Sequence, residues 1–315
     1  MRPRHAVVLA LLSAVWGASY LLIAEAIETM PEGLVVLGRT GLAALALLVL
    51  IRVRGGHALA LLADVRRRPG TALVLGLFAI GLPFTLITFG ERTVPSGLSA
   101  VLIASTPIFV GILAPLLDRS EIMSPLQWGG LVVGLVGVGL LVGVEQIGTV
   151  GEFLGAMAMI GAAASYALSG FILKRRYAGF PPLVTTFISV AAAAVIAVPL
   201  AAAQPPDRAP SATAVLCVVV LALVGTAWAF FAYFRLIGEI GYGRASVVAY
   251  TIPPVALAYG RLVRHEPVTV AAIGAMALIL IGVFLVASRR GRRGARYPPV
   301  ANSRTIATPP PGGPR

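Results

Sequence analysis

The chain has 315 residues, of which 58% are hydrophobic and 12% charged, with a net charge of +13 and a mean hydropathy of +0.93. Soluble domains carry about 25% charged residues, so this composition excludes a pair of ordinary globules. It also excludes a disordered chain, which would be poor in aliphatics, and a disulfide scaffold, because Cys217 is the single cysteine.

What remains is a polytopic membrane protein. A helix crosses a bilayer with about 20 mostly apolar residues. The first such stretch, 6–24, follows Arg2 and Arg4 and ends near Ala24-Glu25-Ala26, which mimics a signal-peptide cleavage site. Its 19 residues exceed the apolar run of a signal peptide, so it reads as a retained span. Next come 33–52, which holds Arg39, then 71–90 and 94–116, the latter richest in Ser, Thr and Pro. Spans 126–144, 153–173, 182–200, 213–234, 243–262 and 270–287 complete ten. The connections are short, which predicts one compact all-α bundle.

Basic residues orient such a bundle. With the N-terminus inside and the spans alternating, inside segments hold 20 Lys and Arg, including Arg66–Arg68, Arg119, Lys174–Arg176, Arg244 and the tail. Outside segments hold four, Arg92, Arg208, Arg261 and Arg264. Both termini are therefore expected in the cytoplasm. The tail 289–315 is basic, Pro-rich and free of acids, and is expected to be disordered or to lie along anionic lipid heads. The usage of 24 Arg to one Lys points to a GC-rich bacterial coding sequence, hence a bacterial inner membrane.

The chain also repeats itself. Gly97 meets Gly243 and Pro107 meets Pro253 at an offset of 146, while Glu121 meets Glu266, Gly129 meets Gly274 and Gly137 meets Gly282 at 145. Trp16-Gly17 meets Tyr166-Ala167 at 150. Each half holds five spans, an odd number, so the second half enters from the opposite side. The expected organisation is a first five-helix repeat at 1–145, an inverted second at 146–288 and the tail. Inverted repeats are an architecture of secondary transporters.

The ordered motifs resemble the drug/metabolite transporter superfamily, EamA branch. They are Trp16-Gly17-Ala18-Ser19-Tyr20, Arg39, Ser105-Thr106-Pro107-Ile108-Phe109, Ser165-Tyr166-Ala167, Gly225-Thr226-Ala227, Ile252-Pro253 and Glu266-Pro267. The similarity covers roughly residues 6–287. The family's usual Gly-Glu reads Ser120-Glu121 and His265-Glu266 here, and its Trp-Ala in span 6 reads Tyr166-Ala167. The resemblance implies export of amino acids, other metabolites or drugs, with no substrate named by the motifs.

Polar side chains in a bilayer need a partner or a cavity. Arg39 is open to two readings: an anion or carboxylate clamp for solute or an inter-helix lock that changes between states, and an arginine that snorkels outward or bonds to backbone carbonyls. The substrate path is expected along Trp16, Ser19, Tyr20, Arg39, Thr85, Ser99, Thr106, Ser165, Tyr166, Thr226, Trp228 and Tyr250. Aromatic rings there offer an apolar face with one donor. Single hydroxyls equally fit inter-helix bonding, and single rings an interfacial belt. Pro107 and Pro253 each remove a backbone hydrogen bond mid-span, which predicts a pair of kinked gating helices. Gly130-x-x-x-Gly134 and Gly139-x-x-x-Gly143 make span 5 a close-packing helix, and with span 10 a peripheral scaffold.

Enzyme signals are absent. His5, His57 and His265 lie near span ends or in loops without ligand spacing, and there is no P-loop or Gly-x-Ser-x-Gly, so no metal, cofactor or ATP use is expected. No carboxylate sits at mid-membrane, which disfavours a proton antiporter built on a central Glu. A facilitator, or coupling through Glu25 or Glu91 near the outer mouth, is left. The expectation is an alternating-access exporter of a small polar metabolite such as an amino acid. It would be a monomer or homodimer that meets solute and lipid and no nucleic acid. The rivals are an exporter of cationic drugs on the same fold and, from other classes, a membrane-embedded enzyme or a scaffold.

Overall fold

The computed structural model describes residues 3–54, 69–117, 124–145, 149–177, 180–240, 245 and 247–287. Arg66–Arg68, Arg119, Glu121, Tyr242, Gly243, Arg244 and the tail lie outside the described residues. The expectations placed on them, and the Gly97–Gly243 and Glu121–Glu266 matches, are outside as well.

Among the described residues the regular structure is helical. The helices are α1 (Pro3–Ala26), α2 (Glu32–Arg54), α3 (Pro69–Gly90), α4 (Ser96–Leu117), α5 (Pro125–Glu145), α6 (Val150–Arg176), α7 (Pro182–Ala203), α8 (Ala212–Ile240), α9 (Val248–Val263) and α10 (Val270–Ala287). Of these, α1 to α8 are long and apolar enough to cross a membrane. At 16 residues α9 falls short of the roughly 20 needed, and the described apolar part of α10, Val270–Val286, is short too.

The ends follow from local chemistry. Thr149 and Glu152 form a reciprocal capping box at the start of α6, at 3.2 and 2.9 Å. Lys174, Arg175 and Arg176 close that helix where cations suit its dipole. The turn after α9 places His265 at φ 54°, a left-handed conformation that costs a residue with a Cβ. That turn returns Glu266 N–H to Gly260 O at 3.1 Å. It also sends the Glu266 carboxylate to the start of α4, where it accepts from Ser96 N (2.9 Å), Ser96 Oγ (2.8 Å) and Gly97 N (3.0 Å).

Three helices depart from ideal geometry. A π turn interrupts α3 at Leu77–Gly81 and another interrupts α8 at Leu223–Trp228. Helix α4 breaks at Ala104–Ser105 into Ser96–Ile103 and Thr106–Leu117. The two prolines therefore do not act alike. Pro107 sits in the first turn after the break, where a missing N–H costs nothing, while buried Pro253 lies inside the continuous α9. Helix α4 is thus broken before its proline, and α9 runs continuously through its own.

Packing joins the first five helices to the last five. Helix α1 packs on α8 and α9, α6 packs on α3 and α4, α2 on α7 and α8, α3 on α7, and α4 on α9. Helices α5 and α10 pair most extensively, through glycines: a Cβ on Gly282 would meet Gly134 Cα at 2.5 Å and Gly130 O at 2.7 Å, backbone that cannot yield. One apolar core lies among α1, α4, α5, α6, α9 and α10, and a second among α2, α3, α7 and α8. Large apolar side chains such as Leu45, Val49, Val132, Val195 and Phe284 face outward, as a lipid-embedded surface requires.

Charges gather at the two ends. At the end where α1 starts, Arg4, His5 and Arg235 all reach Glu239. At the opposite end Arg264 donates to Glu25 and Glu28, and Arg92 pairs with Glu32.

Candidate functional site

Arg39 lies in the interior, 5% exposed, between the two π turns. Its Nε donates to Thr226 Oγ1 at 2.8 Å, within the π turn of α8. Its guanidinium carbon stands 3.8 Å from the centre of the Phe84 ring, in the turn of α3 after the π segment. No described carboxylate lies within 4.0 Å of it, and its terminal nitrogens make no hydrogen bond to a described residue. The snorkelling reading is thus corrected: a hydroxyl and an aromatic face hold the group inside the bundle. A charge removed from water needs compensation, and here part of its fork of donors is left uncommitted. That fork matches a carboxylate bidentately.

The neighbours come from both halves of the chain. Tyr20 and Tyr166 are buried or half-buried, and with Glu91 they act electrostatically on Arg39. Trp16 donates from Nε1 to Gly225 O at 3.2 Å and packs edge-on against Phe230 and Tyr233, ring centres 5.6 and 5.2 Å away. Ser165 Oγ donates to Phe78 O at 2.9 Å. Each π turn thus presents a carbonyl to a side chain of the other half: α8 to Trp16 of α1, and α3 to Ser165 of α6. Insertions of this kind recur at functional sites because they shift a carbonyl and a side chain out of the regular ladder.

Small cavities flank the cluster. One of about 90 Å³ is bounded by Ser19, Leu22, Val224 and Gly225, and one of about 20 Å³ by Ile80, Ser189 and Phe230.

The structure thus brings Trp16, Ser19, Tyr20, Arg39, Ser165, Tyr166 and Thr226 together around the two π turns. The other expected residues show no hydrogen bond to these seven among the described residues. Thr85, Ser99 and Thr106 donate to Gly81 O, Pro95 O and Ile103 O of their own helices. Trp228 is 38% exposed on the bundle's surface. Tyr250 is half-buried against the α1–α4–α6 core. Phe84, an aromatic residue beside Thr85 in span 3, forms the platform under Arg39, a role that only the fold assigns to it.

The sequence places Glu91 in the short turn after span 3, near the outer mouth, as one of two candidate coupling carboxylates. The structure buries it to 7%, and both carboxylate oxygens lack a hydrogen-bond partner among the described residues. Burial pushes this carboxyl well above the ordinary carboxylate range; Glu266 adds to the shift, and Arg39 and Arg264 oppose it.

The profile of the EamA-like transporter family matches residues 4–143 and again 153–288. The uncharacterized inner membrane transporter YedA of Escherichia coli (strain K12) is 28% identical over 275 residues, 86% of this chain and 87% of its own. The uncharacterized transporter YoaV of Bacillus subtilis (strain 168) is 24% identical over 276 residues, 86% of this chain and 92% of its own. A solved crystal structure is alike in fold at TM-score 0.62 and 19% identity, covering 90% of this chain and 96% of its own.

Proposed function

The chain belongs to the EamA-like transporter family, and on that premise we propose that it exports a small polar metabolite bearing a carboxylate, such as an amino acid, by alternating access. It is a membrane transporter rather than an enzyme. The observation that carries the substrate class is Arg39: a buried guanidinium with donors to spare, held over Phe84 by Thr226. A solute carboxylate supplies the charge that the site lacks, and Trp16, Tyr20 and Tyr166 offer ring faces to the rest of the solute. An exporter of cationic drugs would have to carry its substrate past this fixed positive charge, which disfavours that rival.

In this reading two five-helix halves of opposite orientation enclose the path, with both termini cytoplasmic. Three features support it. The family profile matches twice. The contacts exchange with the halves: α1 with α8 and α9 mirrors α6 with α3 and α4. The π turns occupy the third helix of each half. Solute binding between the π turns would be released by rocking one half on the other, with the Glu25–Glu28–Arg264 and Arg4–His5–Glu239 groups parting alternately at the two ends.

Counterflow into sealed liposomes, loaded in turn with amino acids, nucleosides and cationic dyes, tests this. Exchange of a carboxylate-bearing solute is expected. Exchange of dyes with no carboxylate-bearing solute moving would overturn the substrate class.

A further inference from the structure

Glu91 caps the C-terminus of α3 and is the titratable group that transport of a carboxylate does not use. Its backbone N–H is spent on Ile87 O at 2.9 Å, and its neighbour Arg92 turns outward to Glu32. Both Glu91 oxygens are enclosed, with no hydrogen-bond donor in reach among the described residues. Leaving an ionised carboxylate in that position forfeits its hydration with nothing in return. Protonation removes the charge at once.

The surrounding charges are already engaged elsewhere. From α1, Tyr20 faces it, and Glu25 is held by Arg264. From α2, Glu32 is held by Arg92, and Arg39 by Thr226 and Phe84. From α6, which packs along α3, Glu152 sits in its own capping box. From the turn before α10, Arg264 bonds Glu25 and Glu28, and Glu266 is fixed by three donors at the start of α4. Helix α4 has no charged residue. Of the cations near Glu91, Arg92 and Arg264 are paired with other carboxylates and Arg39 is held by Thr226 and Phe84, while Glu266 adds to the repulsion.

We propose that Glu91 is a proton-binding site that latches this end of the bundle, holding a proton on its carboxyl while the end is closed. Parting of the end admits water. The proton then passes from the carboxyl oxygen to water, leaving a solvated carboxylate, and closing takes a proton back from water. Acid favours the closed end and alkali the open one. The inference that this motion accompanies transport rests on the proposed function; the presence of the proton does not.

Infrared difference spectra of the purified protein in lipid, recorded as pH is stepped, test the site without any substrate. The expected result is a protonated-carboxyl band at neutral pH that Glu91→Gln abolishes and Glu25→Gln keeps. Absence of any Glu91-dependent band would overturn the proposal. Opening is read in Cys217→Ser protein carrying Val94→Cys, a residue 2% exposed beside the latch. Labelling by an impermeant maleimide, corrected with Asp207→Cys as an exposed reference, is expected to rise about tenfold per pH unit over the titration, the factor linked to one bound proton. Glu91→Gln, neutral at every pH, is expected to stay slow. Corrected labelling that ignores pH in the unaltered latch, or that rises equally in Glu91→Gln, would overturn it. An absence of solute flux with the band present would count against the proposed function and leave the proton site standing.

Discussion

At the scale of single residues, the interior is defined by how little protein opposes two charges. Arg39 has one hydroxyl and one ring; Glu91 has neither. Thr226→Val removes the acceptor that aims the guanidinium. A hydrogen bond to a charged group is worth about 1.5–3 kcal/mol, so flux is expected to fall about tenfold or more at equal expression, measured as initial rates in liposomes. For Glu91 the sign of the pH effect follows from the raised carboxyl. The folded protein holds that proton more tightly than the unfolded chain, whose carboxyl titrates near 4.5. Its contribution to stability is complete below that value and is lost as pH rises through the folded one. Thermal unfolding in detergent is expected to show wild type losing stability relative to Glu91→Gln as pH rises from the ordinary carboxyl range. Sequence made Arg39 conspicuous, since it is a lone charge in an apolar span. The sequence marks Glu91 as one of two carboxylates near the outer mouth, but a Glu-Arg pair beside a turn has the pattern of a loop, and its burial is visible only in the folded chain.

At the scale of elements, apolar run length made α1 to α8 legible, while the departures from regular helix were not. A π turn is one extra residue in a helical ladder and leaves the hydropathy unchanged. Deleting Val224 is expected to restore a regular α8, rotate Thr226 away from Arg39 and abolish flux with helix content by circular dichroism unchanged; retained flux would show that the π turn is dispensable. The prolines were legible in position, while the break at Ala104–Ser105, just before Pro107, was not. The His265 turn explains a departure from the family's Gly-Glu: the position is left-handed, φ 54°, and glycine is free of the Cβ penalty there. His265→Gly is expected to raise stability by about 1 kcal/mol, read as a higher midpoint of thermal unfolding. Gly282→Ala is expected to do the opposite, by about 1–3 kcal/mol, because the backbone of Gly130 and Gly134 blocks the added methyl.

At the scale of the whole molecule, crossed packing of the two halves puts one interior between them, and the polar groups of that interior come from α1, α2, α3, α6 and α8 together. The sequence repeat, with offsets of 145 to 150 recurring from one end of the chain to the other, is the basis for reading two halves. Which residues meet across the halves depended on helix rotation, which short repeat motifs do not encode. If the halves are oppositely oriented with both termini cytoplasmic, cysteines at Thr149 and Asp207 in Cys217→Ser protein label from outside, and one at Lys174 labels from inside. The reverse pattern would invert the topology. The central claim is that solute passes between the halves at Arg39. Counterflow of labelled amino acids, run side by side for wild type and Arg39→Ala at matched reconstitution and matching size-exclusion profiles, tests it most directly. The account predicts exchange in the wild type that falls by at least tenfold in the variant, about 1.4 kcal/mol or more; equal exchange in both would contradict it.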